Sequence, residues 1–154
     1  MTVFPKQEDD AMRTMFGLGL AVVIGLAFGG VSRAEDEVGP HKGPVAEWGD
    51  EEYHLEVVAD AKTGDVTVYV YGNHDDLHKG KAKALDAKTL TLSLKTTDPA
   101  TTVKLEAKPA KDDPQGKSSV FVGKNDAFKT DKKLVGTISG KVGTKPYSGD
   151  FKQK

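Results

Sequence analysis

Apolar and polar residues alternate most regularly between Tyr53 and Gly72, YHLEVVAD-AKTG-DVTVYVYG. Two runs of period two flank a short loop that holds Gly64, the signature of a β-hairpin. With Ala61-Lys62-Thr63-Gly64 as the loop, Asp60 stands opposite Asp65, Val57 opposite Val68 and Leu55 opposite Val70. One face then collects Leu55, Val57, Ala59, Val66, Val68 and Val70 as a core. The other collects His54, Glu56, Val58, Thr67, Tyr69 and Tyr71, and is not core by composition. A slip of one residue would set the valines against His and Glu, so the register is strongly specified.

The same alternation recurs on both sides. Val45 to Trp48 reads as a first strand, and a four-residue turn, Gly49 to Glu52, sets Trp48 against Tyr53 and Glu47 against His54. After the hairpin, Asn73 to Gly80 is a polar loop between glycines. Thr89 to Lys95 points Leu90, Leu92 and Leu94 inward; Thr101 to Lys108 does the same with Val103, Leu105 and Ala107. Ser118 to Val122 is a further strand, and a helical turn fits around Asp126 to Phe128. Leu134 to Val142 and Pro146 to Phe151 close the pattern as a hairpin. Seven or eight short strands with frequent turn signals predict an all-β domain, and within that class an antiparallel β-sandwich with immunoglobulin-like wrapping.

The N-terminus breaks this pattern. Phe16 to Phe28 is an uncharged apolar run, followed by Val31-Ser32-Arg33-Ala34 with small residues where signal peptidase needs them. The run is shorter than the roughly 20 apolar residues of a membrane span. Residues 1–34 therefore read as a signal helix cleaved after Ala34, residues 35–44 as an extended leader, and residues 45–154 as the β domain. The acidic Glu8-Asp9-Asp10 has the wrong sign for the start of a signal, which points to translation from Met12 or Met15. The expected location is the periplasm or the outside of the cell, with no stable membrane insertion after cleavage.

Length and charge narrow the options further. A chain of 154 residues supports one such domain. Its formal net charge of -1 provides no field to steer it to nucleic acid. Arg13 and Arg33, the only arginines, both precede the leader, so the body lacks the planar fork that reads phosphates and bases. Nucleic acid is not an expected partner. There is no cysteine, which excludes disulfides, zinc ribbons and thiol catalysis.

Candidate chemistry rests on the four histidines, His41, His54, His74 and His78. In His74-Asp75-Asp76-Leu77-His78, a spacing of four sets both imidazoles on one side of a helical turn, with Asp75 as a further ligand type. Asp75 stands where the zinc-protease helix needs its glutamate, and the flanking glycines leave no room for a long helix, so hydrolysis is not expected. The plain alternative is a solvated loop. His54 has Glu56 beside it and Glu47 opposite, either as an ordinary cross-strand pair or, with His41, as ligands of a divalent ion such as Cu, Ni or Zn. Tyr69 and Tyr71 complete a candidate binding face with His54 and Glu56, unless strands and leader cover them. Gly116-Lys117-Ser118 lacks the upstream glycine of a phosphate loop, Lys111 standing in its place, and Ser139 lacks the nucleophile-elbow glycines.

Gly39-Pro40-His41-Lys42-Gly43-Pro44-Val45-Ala46-Glu47-Trp48-Gly49, Tyr53 to Val58 and Thr63 to Val70 together resemble a family of small exported bacterial proteins. A similar short β module precedes the adaptor (membrane-fusion) proteins of some heavy-metal efflux systems. That family usually opens with His-Gly-Gly; here Lys42 replaces the first glycine. The resemblance covers the first half of the mature chain, with a fainter echo in Tyr147-Ser148-Gly149. It implies a small envelope β-sandwich linked to metal handling, and carries over His41, Glu47, His54 and Glu56 as matching polar positions. The expected function is an exported, non-enzymatic binding or accessory module with an envelope protein as partner. The alternative is a periplasmic divalent-metal-binding protein associated with efflux.

Overall fold

A computed structural model describes residues 37–97 and 99–154 of the chain. The signal-like segment, the alternative starts at Met12 and Met15, and leader residues 35 and 36 lie outside the described residues.

The hairpin has the register that its alternation predicts. Strands β2 (Tyr53–Ala59) and β3 (Asp65–Tyr71) pair antiparallel with Leu55 opposite Val70 and Val57 opposite Val68. Asp60 caps the loop, accepting from the Lys62 and Thr63 amides, while the Gly64 amide donates back to the Asp60 carbonyl. Strand β1 (Val45–Trp48) sets Glu47 against His54 and Trp48 against Tyr53, as the four-residue turn requires.

Beyond α1 (His74–His78), the chain continues through β4 (Thr89–Leu94), β5 (Thr101–Ala107), β6 (Val120–Lys124), a 3-10 turn at Asp126–Phe128, β7 (Val135–Val142) and β8 (Lys145–Lys152). The domain is all-β with almost no helix. Its eight strands form one antiparallel sheet in the order β1-β2-β3-β6-β5-β4-β7-β8. Alternation suggested the two sheets of an immunoglobulin-like sandwich; the structure has a single sheet instead. Strand β6 makes the difference, because it pairs with β3 on one side and, through Glu106↔Val122 and Ala107↔Phe121, with β5 on the other.

That sheet curls until its two end strands meet, in a nearly closed, barrel-like form. Strands β1 and β8 pack without a ladder, and the approach is tight enough that a Cβ on Gly149 would collide with the Glu47 carbonyl and the Trp48 ring. The Trp48 indole reaches across the interior to donate to the Ile138 carbonyl at 3.1 Å, and its ring stacks on Tyr147. Leu55, Val57, Val68 and Val70 share this interior with Leu90, Leu92, Leu94 and Leu105, all buried. Each such side chain contributes about 1.5–3 kcal/mol of burial.

The opposite face of the hairpin is covered, the alternative that the nearby leader offered. His54, Glu56 and Tyr71 are as buried as the valines behind them. The leader and α1 lie over this end of the sheet and make a second, smaller apolar layer of Val45, Tyr71 and Leu77, with Tyr69 packed at its edge. Among the described residues, no helix is long and apolar enough to cross a membrane.

Candidate functional site

All four histidines lie in this second layer, in two groups fed by neighbouring residues of β2. The first is a clasp around Glu56. Its carboxylate accepts from the His41 amide at 2.7 Å and the Gly43 amide at 3.0 Å, and faces the His41 Nδ1 at 2.9 Å. The Tyr71 hydroxyl donates to the second oxygen at 2.9 Å. The leader wraps so closely that a Cβ on Gly39 would overlap the Glu56 carboxyl group. The His41 ring stacks on Tyr69, with centroids 3.9 Å apart. Burial, then the adjacent Glu56 carboxylate, push the Tyr71 hydroxyl well above its ordinary pKa, so it stays a donor. Every partner here is matched, as a buried carboxylate demands.

The second group gathers around His54, two residues earlier. Its Nδ1 lies 2.8 Å from the Gly72 carbonyl, which can only accept, so Nδ1 carries the proton. In the neutral ring Nε2 is then a bare lone pair, the tautomer that a metal ligand needs. Nε2 points to Glu47 Oε1 at 4.0 Å, the cross-strand neighbour.

Helix α1 brings the remaining imidazoles. Asn73 caps it by accepting from the Asp76 amide, and Leu77, its one apolar residue, is buried against the second layer. The polar stretch between glycines is thus a short helix rather than a loop, because Leu77 has somewhere to dock. A spacing of four then sets His74 and His78 side by side, Nε2 to Nε2 at 2.8 Å. Glu37 from the leader completes the group, with Oε1 at 3.1 Å from His74 Nδ1 and 3.6 Å from His78 Nε2. One ligand atom each from Glu37, His54 and His74 fall within 4.8 Å of one another. A tetrahedral ion with bonds of about 2.0–2.1 Å would hold its ligand atoms about 3.3 Å apart, an adjustment within reach of side-chain rotation.

The placement of the sequence candidates is therefore mixed. His54, Glu47, His74 and His78 come together, joining two stretches that the sequence treats separately. His41 goes to the clasp instead, on Glu56, Tyr69 and Tyr71. Asp75 is exposed and turns to Lys79. The binding-face set of His54, Glu56, Tyr69 and Tyr71 is covered by leader and helix, as the stretch around it allows. Sequence reasoning missed Glu37, one acid among several in a charged leader, and Leu77, whose signal was a lone apolar residue in a polar stretch. A surface cleft of about 330 Å³ between His41–Pro44, β2 and the Thr130–Leu134 loop is lined by His41, not by the other three imidazoles.

Comparison with family models, curated proteins and solved structures finds no match for the chain.

Proposed function

We propose that the protein is an exported, non-enzymatic accessory module that binds a divalent transition-metal ion through His54, His74 and Glu37, with Glu47 and His78 alongside. The observation that carries this reading is the approach of one ligand atom each from Glu37, His74 and the buried His54 to within 4.8 Å of one another. Imidazole with carboxylate suits Zn(II), Cu(II) or Ni(II). The signal-like N-terminus supports a place in the cell envelope. The resemblance to modules that accompany metal efflux adaptors agrees with both points and supplies a class of envelope partner.

The test is calorimetric titration of protein purified from the envelope of cells expressing the full chain, with Cu(II), Ni(II) and Zn(II) in turn. One tight equivalent of at least one ion is expected, weakened 100-fold or more in a His54→Ala, His74→Ala double variant. Silence with all three ions at micromolar concentration sinks the reading.

A further inference from the structure

Strand β1 starts only at Val45, so the end of β2, Val57 to Ala59, runs past its ladder. The Val57 amide still donates to the Pro44 carbonyl at 2.9 Å, but proline has no N–H to return. The leader covers the Val57 carbonyl so closely that a Cβ on Gly43 would collide with it. Ala59 is the next residue whose backbone faces that side. The Asp60 amide donates to the Asp65 carbonyl at 2.8 Å, which makes Asp60 and Asp65 a hydrogen-bonded pair and their neighbours Ala59 and Val66 a pair without such bonds. The Ala59 N–H and C=O therefore point away from β3, and among the described residues no strand or loop pairs with them.

This free end of β2 forms a wall of the cleft of about 330 Å³, whose rim is predominantly basic. Lys42, Lys132 and Lys133 line it, all exposed, against the single carboxylate of Asp131. Elsewhere Lys79, Lys81, Lys124 and Lys129 each face a carboxylate. Among the described residues the three cleft lysines have no such partner.

We infer that this cleft docks an extended acidic segment of a partner protein, which adds to the free end of β2 as a short extra strand. An unpaired sheet edge recognises extended backbone of any sequence, and the side chains around it select which sequence binds. Here the Ala59 N–H and C=O supply the backbone pair, and the three lysines supply the preference for Asp and Glu. A second copy of the chain fits less well, because edge-to-edge pairing at this corner would bring two sets of lysines together. The inference is independent of the metal reading. Of the four histidines only His41 lines the cleft, and His41 is held by Glu56.

Fluorescence anisotropy with a labelled peptide of alternating glutamate and valine, EVEVEVE, tests this on the purified protein in EDTA at low salt. Saturable binding is expected, and the lysine counterpart KVKVKVK should not bind. The double variant Lys132→Glu, Lys133→Glu should weaken binding tenfold or more; both positions are exposed, and circular dichroism checks the fold. A strand pairs through alternate amides. One of two peptides, N-methylated either on its valines or on its glutamates, should therefore lose at least tenfold in affinity with no change to the protein. Absence of saturable binding overturns the inference, and so does full affinity in the lysine variant, which would place the peptide elsewhere. Equal binding of both N-methylated peptides overturns it too, by reducing the site to charge attraction. Dimers of the protein that EVEVEVE dissociates would give the edge to a second copy and overturn the partner. None of these outcomes bears on the titration of the metal site.

Discussion

His54 and Glu56 are two residues apart on one strand, point the same way and are equally buried, yet they sit in opposite kinds of surroundings. Around Glu56, two amides, a hydroxyl and an imidazole all turn toward one carboxylate. Around His54 gather groups of metal-ligand type instead, namely Glu47, Glu37, His74 and His78. A matched network stabilises structure and has nothing left to bind with. A converging set of imidazoles and carboxylates has the ligand types that a transition-metal ion takes. The clasp holds the leader down, and the leader carries Glu37 to the second group, so the one supports the other.

The sharpest way to break this comparison is Glu56→Ala. It strands the His41 and Gly43 amides and the Tyr71 hydroxyl in a buried layer, and should cost about 3–5 kcal/mol of unfolding free energy in metal-free protein. Alanine at His78, by contrast, should leave metal-free stability within about 0.5 kcal/mol, as exposed positions do. Denaturant titration of both variants decides; similar losses would make the imidazole group a structural one too.

A smaller effect is expected from Leu77→Ala, which removes the anchor of α1. Deleting a buried leucine costs roughly 2–3 kcal/mol here by analogy with other cores. The informative readout is metal affinity, which should fall at least tenfold because His74 and His78 lose their seat. Retained affinity would show that α1 does not position them.

The smallest effect has the opposite sign. Lys42 holds φ at 67°, a left-handed conformation that costs a side chain about 1 kcal/mol. Lys42→Gly should raise the unfolding free energy by roughly that amount with no change in metal affinity. A loss of stability would mean that the lysine side chain contributes to the clasp.

Alternation alone was enough for the hairpin register, the Glu47–His54 pairing and the leucines of β4, because each depends on period two and on turns of two to four residues. Those relations are local, and a one-residue slip would bury charge. The meeting of His74 with His54 is of another kind. It depends on Leu77 finding a buried seat and on the leader bringing Glu37 over the same spot, neither of which has a period in the sequence. The single sheet likewise depends on β6 pairing with both β3 and β5, a long-range choice that a strand's own residues do not encode. So the sequence by itself determined an all-β chain, its strand register and which residues share a face. Tertiary structure decided that this face is buried, that His41 clasps Glu56, and that three imidazoles from two separate elements converge, because only packing brings distant segments within bonding distance.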